Sequence, residues 1–242
     1  MRSAVFQRLD SLDYSGNEAL NTICSNITFA GRDVKKVVVT SCSPSDGKSF
    51  MSVQIAQNLA RRGKRVVLVD GDLRRSNLIS RYGVVTTGEM TGLVHYLAGY
   101  CSIDDALYQT NIDNFYMIPI GREVANPIPL LDSPFFSELL NYLAMHFDLV
   151  LVDAPPVGLV IDAAEIAGNC DGVVFVVKYN ETRRRDIVSA KRQMDQTGCP
   201  ILGCVINEVT FDSLSAKKYY NKSYYSHYGK YYRQSDQGGE ES

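Results

Sequence analysis

Lysine, serine and three aspartates in this chain have the types and spacing for chemistry on phosphate. Lys48 lies in Ser43-Pro44-Ser45-Asp46-Gly47-Lys48-Ser49, directly after the apolar run Val37-Val38-Val39. A strand, a tight turn and Gly-Lys-Ser in that order make a phosphate cradle. Backbone N–H groups and the start of the next helix surround the phosphates, the lysine reaches the outer ones, and the serine hydroxyl takes magnesium. The expected nucleotide contacts are Ser43, Pro44, Ser45, Asp46, Gly47, Lys48, Ser49 and Phe50, and the expected cofactors are ATP and Mg2+. The loop departs from the G-x-x-x-x-G-K-[ST] pattern at Cys42, which stands where the first glycine would be.

The carboxylates downstream complete a site. Val66-Val67-Leu68-Val69 is a buried-strand run that delivers Asp70 and Asp72 at its C-terminal end, where open parallel sheets place ligands. Leu149-Val150-Leu151-Val152 ends in Asp153-Ala154-Pro155-Pro156, a run-then-aspartate pattern suited to magnesium and its water shell. Aspartates at strand ends also serve as helix caps and loop solvators. The phosphate loop in the same chain weighs against that reading here.

Such groups need a scaffold that brings strand ends together, and the pattern of runs supplies one. Strands are expected at 34–40, 65–70, 115–120, 149–152, 172–178 and 201–206. Helical patterns fall between them, from the phosphate loop to about Arg62, from Gly92 to Leu97, over Pro134 to His146 and over Arg183 to Gln196. Strands alternating with helices predict an α/β fold, a P-loop NTPase-like parallel sheet flanked by helices. Before it come a polar N-terminal arm and a helix over Asn17 to Ala30, with Ala19, Leu20, Ile23 and Ile27 on one stripe. The expected organisation is an arm and helix at 1–32, a kinase-type P-loop domain at 33–214 and a tail at 215–242.

Composition narrows the partners. A net charge of −2 offers no electrostatic case for nucleic acid. The six cysteines have no C-x-x-C pair and no histidine at ligand spacing, so they predict reduced thiols rather than a zinc site or a disulfide framework. No apolar run is long enough to span a bilayer. The expectation is a cytoplasmic protein that reaches the membrane through a partner.

From Ser215 onward Tyr219, Tyr220, Tyr224, Tyr225, Tyr228, Tyr231 and Tyr232 lie among Lys, Ser, Asn and Gly with few aliphatic residues. Such a segment buries too little surface to offset its ordering entropy and is expected to be flexible. An aromatic-faced helix and single-strand stacking by Tyr and Lys are alternatives. Beside a phosphoryl-transfer site, the most specific reading is a kinase whose own tail is its tyrosine substrate.

Together these motifs resemble the bacterial tyrosine kinases of capsular and exopolysaccharide synthesis, in the separate cytoplasmic subunit form typical of Gram-positive bacteria. The resemblance runs from about Asn17 to the C-terminus. It is carried by Thr40 to Ser49, by Val69-Asp70-Gly71-Asp72-Leu73-Arg74-Arg75, by Val152 to Pro156, and by the tyrosine cluster. Gly92-Leu93 to Gly99, Asn126-Pro127 to Leu131, and Gly203-Cys204-Val205-Ile206-Asn207 are similar as well. The resemblance implies Asp70 as general base, Asp72 and Asp153 with Ser49 on the magnesium side, and Asn207 near the adenine. It also implies a membrane activator of the polysaccharide co-polymerase type, a protein-tyrosine phosphatase, and self-association.

Three departures bear on these expectations. Ser45 and Phe50 stand where the family usually carries glycine and threonine; a left-handed backbone at Ser45 would cost on the order of 1 kcal/mol. The assembly motif Glu-x-x-Arg-x-x-Arg becomes Glu18-x-x-Asn21-x-x-Cys24, so the chain alone is expected to be monomeric or weakly associated. Nucleotide switches of plasmid partition and division-site placement share the loop but carry a signature lysine where this chain has Ser43. They are the alternative reading, together with a nucleotide-binding scaffold of little activity.

Overall fold

The computed structural model describes residues 2–209, and the tyrosine cluster lies outside the described residues. The chain opens with β1 (Arg2–Val5), α1 (Tyr14–Phe29), β2 (Lys36–Ser41), α2 (Lys48–Arg61) and β3 (Val66–Asp70). Next come α3 (Leu78–Tyr82), β4 (Val85–Thr86), α4 (Leu93–Leu97), α5 (Ile103–Ala106), β5 (Tyr108–Thr110) and β6 (Phe115–Ile118). It continues with α6 (Ile128–Leu131), α7 (Pro134–His146), β7 (Leu149–Asp153), α8 (Asp162–Ala167), β8 (Gly172–Lys178), α9 (Arg184–Asp195) and β9 (Ile201–Asn207).

The strands described form one sheet in the order β4-β1-β5-β6-β3-β7-β2-β8-β9. From β6 to β9 every pairing is parallel. Two antiparallel pairings, β5 with β6 and β1 with β4, modify the all-parallel expectation at one end. Helices cover both faces, which is why the central strands are apolar without alternation. Val37, Val39, Leu68 and Leu151 pack with Leu20, Ile55 and Leu59 of α1 and α2 on one side. Val38, Val67, Val69 and Val152 pack with Leu139, Ile166 and Met194 of α7, α8 and α9 on the other.

The N-terminal residues differ from expectation. Instead of a polar arm, Arg2–Val5 form a strand parallel to β5 and antiparallel to β4. Only Ala4 of its four residues is buried, so the run shows no clear strand signature. What holds it is long-range: the Arg2 guanidinium donates to the carbonyls of Thr87 and Asp105, at 3.0 Å each, and lies 5.0 Å over the Tyr108 ring. Helix α1 begins three residues early, at Tyr14, because the Asp13 carboxylate accepts from Gly16 N at 2.7 Å and caps it.

The altered assembly motif on α1 turns inward. Asn21 Oδ1 accepts from Asn58 Nδ2 at 3.0 Å and from Arg62 Nη2 at 2.7 Å, and Asn21 Nδ2 donates to Glu18 at 3.1 Å. Cys24 is buried on the inner side of α1, where burial pushes its thiol up to about 12. Both positions fasten α1 to the protein's own α2. Among the described residues no helix is long and apolar enough to cross a membrane.

Candidate active site

Strand order brings the chemistry together. β3, β7 and β2 are neighbours; Asp70 is in register with Asp153, and Asp153 with Val39 just before the phosphate loop. The three C-terminal ends therefore open on one spot, beside the point where the connections diverge from β2.

The loop after β2 is built around two left-handed residues, Ser45 at φ 65° and Gly47 at φ 98°. At Ser45 a serine thus occupies a conformation that favours glycine, at a cost of about 1 kcal/mol. Gly47 is needed for space as well, since a Cβ there would come within 2.0 Å of Asn207 Nδ2. Asp46 braces the loop. Its carboxylate accepts from Ser43 N at 2.9 Å and Thr182 Oγ1 at 3.1 Å, while Asn207 Nδ2 donates to its carbonyl at 3.0 Å. Cys42 is buried, and its carbonyl sits where a Cβ on Gly158 would approach to 2.3 Å. Gly47 precedes α2 without a side-chain cap, so the first turn of a 14-residue helix presents its amides at the loop.

Lys48 is held among the acids. Its Nζ lies 3.1 Å from Asp72 Oδ2 and 3.8 Å from Asp153 Oδ2, and donates to Ser49 Oγ at 3.2 Å. Burial alone would lower its pKa, but Asp153 and Asp72 outweigh it and the net shift is upward, so the ammonium is kept. Asp153 is also bonded by Ser52 Oγ at 3.0 Å, yet burial raises its carboxyl despite Lys48.

Asp70 is the least satisfied of the three. It is fully buried; Ser76 Oγ donates to Oδ2, and Oδ1 has no hydrogen-bond partner. Burial, reinforced by the charge of Asp153, pushes its pKa up to about 8. Arg75 N donates to Asp72 Oδ1 at 3.2 Å, and next to it Arg74 forks onto Asp162 at 2.7 and 3.0 Å, with a further bond to the Ala125 carbonyl at 2.8 Å. This bidentate pair, with Asp162 buried, ties the loop carrying Asp72 to α8, the helix that follows Asp153.

Lys48, Ser49, Asp70, Asp72 and Asp153 thus converge as the motifs predict. Pro44 and Ser45 form the exposed outer turn, and Ser43 contributes its amide to the brace. Phe50 turns aside, packing beneath Arg81, whose guanidinium carbon lies 5.5 Å from the ring centroid. Sequence reasoning missed Ser52, Ser76, Thr182 and the Arg74–Asp162 pair. Lone hydroxyls carry no motif, although Arg74 stood inside one.

The residues fit a magnesium nucleotide. Three acid side chains lie around one lysine, one of their oxygens is unpartnered, and the loop and helix start supply amides. Among the described residues no group of three or more His, Cys, Asp or Glu makes a complete metal cage. Magnesium is commonly held by one or two carboxylates together with phosphates, and such a site needs no cage.

The sequence profile of the AAA domain matches residues 34–182. The tyrosine-protein kinase CpsD of Streptococcus pneumoniae is 37% identical over 213 residues, which cover 88% of this chain and 92% of that one. Among solved structures, the chimerical protein CapA2B2 superposes with a TM-score of 0.75 at 28% identity, covering 85% of this chain and 93% of that chain. The kinase domain of the Escherichia coli tyrosine kinase ETK superposes with a TM-score of 0.71 at 26% identity, covering 81% and 78%. With the phosphate loop and the strand-end acids in place, the chain belongs to the bacterial tyrosine-protein kinase family.

Proposed function

We propose that this chain is an ATP- and magnesium-dependent tyrosine autokinase that phosphorylates the C-terminal cluster of a second copy, in a system for capsular or exopolysaccharide synthesis. The observation that carries this reading is the Lys48 ammonium bridging Asp72 and Asp153 at the mouth of the phosphate loop, with Asp70 buried beside them.

ATP supplies the phosphoryl group and magnesium neutralises charge on it. The protein's part is positioning and electrostatics, which dominate phosphoryl transfer. Lys48 holds positive charge where the outer phosphates would lie. Ser49, Asp72 and Asp153 are on the magnesium side, and Asn207 is on the adenine side. Asp70 takes the tyrosine proton. Its raised pKa means that it holds a proton near neutrality, and a cation arriving beside it would release that proton and ready it as a base.

The proposed partners are a membrane activator of the polysaccharide co-polymerase type, which recruits the kinase to the membrane, and a protein-tyrosine phosphatase that reverses the modification. The supporting likeness is to relatives named as tyrosine-protein kinases, among them the putative tyrosine-protein kinase CapB of Staphylococcus aureus, 29% identical over 218 residues.

Incubation of the full chain with labelled ATP and magnesium tests the reading. Alkali-stable label on tyrosine is expected, and most of it is lost when all seven tail tyrosines are changed to phenylalanine while ATP binding is retained. A Lys48→Met protein should accept label from a tailless active one. Hydrolysis without phosphotyrosine would favour a nucleotide switch instead, and neither activity would favour a scaffold.

A further inference from the structure

The described tyrosines differ sharply in what surrounds them. Tyr82 and Tyr108 are buried, Tyr116 meets Phe147 edge-on, and Tyr142 packs against His146 within a helix. Tyr14 is 83% exposed but begins α1 directly after Asp13, with Asp10 nearby in sequence. Tyr100 is 74% exposed and lies in a turn just after α4, following Gly99 at φ 76°. It has a cation in place, since the Arg122 guanidinium carbon lies 5.9 Å from its ring centroid and the arginine is exposed.

The two residues sit on segments bound to each other and to the acid loop. Leu93 N and Val94 N at the start of α4 donate to the carbonyls of Pro119 and Ile120 at 2.7 and 3.1 Å. A Cβ on Gly121 would come within 2.4 Å of His95, so α4 and the 119–122 segment are packed without slack. Two residues further on, Val124 N donates to Leu73 O at 2.9 Å, and Ala125 O accepts from Arg74. The loop bearing Arg122 thus runs from Tyr100 to the segment that carries Asp72.

We propose that Tyr100 is a tyrosine phosphorylation site separate from the C-terminal cluster, and that Arg122 receives its phosphate. This rests on the kinase reading above. In the step, the phenol oxygen of Tyr100 on one copy bonds to the γ-phosphorus of ATP on another. The bond from that phosphorus to the β–γ bridging oxygen breaks, ADP leaves, and the phenolic proton passes to Asp70 of the phosphorylating copy. An exposed turn suits this because the tyrosine can enter another copy's site without unfolding a helix or strand. The product carries roughly −1.5 to −2 charges, and a guanidinium fork beside it makes charge-assisted hydrogen bonds. An arginine already against the ring needs only a side-chain rotation to reach the phosphate.

Mapping phosphopeptides of the full wild-type chain and of the variant with seven tail phenylalanines, after incubation with ATP and magnesium, tests the proposal. Phosphate on the Tyr100 peptide is expected in both and absent from Lys48→Met incubated alone. Phosphotyrosine in the wild-type tail without any at Tyr100 would overturn the proposal while leaving the kinase reading intact. No phosphotyrosine anywhere would overturn both. For the role of Arg122, a purified tyrosine phosphatase should release phosphate from Tyr100 roughly two- to fivefold faster in Arg122→Gln than in wild type, the range of an exposed charge pair, with release from the tail unchanged. Equal rates at Tyr100 would remove Arg122 from the proposal.

Discussion

The strand ends of β2, β3 and β7 and the N-terminal elements β1 and α1 both carry charged and polar groups, yet they are organised on contrary terms. In the N-terminal elements, Arg2 and Asn21 find partners. Arg2 reaches carbonyls and an aromatic face, and Asn21 is bonded by Asn58 and Arg62. At the strand ends, one lysine serves three buried carboxylates, and Asp70 keeps an oxygen with no partner and a proton to about pH 8. The first arrangement holds a fold together. The second stores unbalanced charge, which is what a site awaiting a cation and a phosphate requires, and it costs stability in the ligand-free protein.

The largest effect should come from the lysine. Lys48→Met is expected to lower phosphoryl transfer by about 100-fold or more, as expected for losing a charge contact to the moving group. Near-normal autophosphorylation in a label-transfer assay would refute the assignment.

The acids should then separate by role. Asp153→Asn is expected to weaken the magnesium dependence of nucleotide binding, because its carboxylate faces Lys48 and Ser52 at the mouth of the loop. Asp70→Asn should retain ATP and lose chemistry. Titrating both variants with a fluorescent nucleotide with and without magnesium checks the division, and identical behaviour would erase it.

Smaller effects probe the backbone and the N-terminal elements. Ser45→Gly should stabilise the protein by about 1 kcal/mol by relieving the left-handed serine, raising Tm by about 2–4 °C. Asn21→Ala should destabilise by about 1 kcal/mol, since its hydrogen bonds join α1 to α2 at a partly buried position. Thermal melts of both variants are sufficient, and a Ser45→Gly protein that melts lower would mean that the serine side chain supplies something the glycine cannot.

The same contrast explains what was legible in the sequence. The central strands and the Pro134–His146 helix follow from long apolar runs and helical spacing, and the convergence of Lys48, Asp70, Asp72 and Asp153 from motifs at strand ends. β1 was missed because a four-residue edge strand with one buried side chain has no periodicity, and its partners lie about 80 to 110 residues away. Ser76 and Ser52 were missed because a hydroxyl's partner is set by tertiary placement. The left-handed backbone of Ser45 is only half legible, since the glycine rule names the strain but the folded loop sets the angle.

Whether the strand-end acids stay unbalanced until a cation and nucleotide arrive can be read by melting wild type and Asp70→Asn from pH 5 to 9, with and without magnesium and a non-hydrolysable ATP analogue. In the unfolded chain an Asp carboxyl ionises near pH 4, whereas in the fold Asp70 keeps its proton to about pH 8. The fold therefore binds the extra proton between those values. Its stability from this group is full below about pH 4 and is lost as pH rises toward 8. Ligand-free wild type should accordingly lose Tm relative to Asp70→Asn as pH rises over this range, and magnesium with nucleotide should narrow the gap. Parallel pH profiles for the two proteins, with no response of their difference to the ligands, would contradict this.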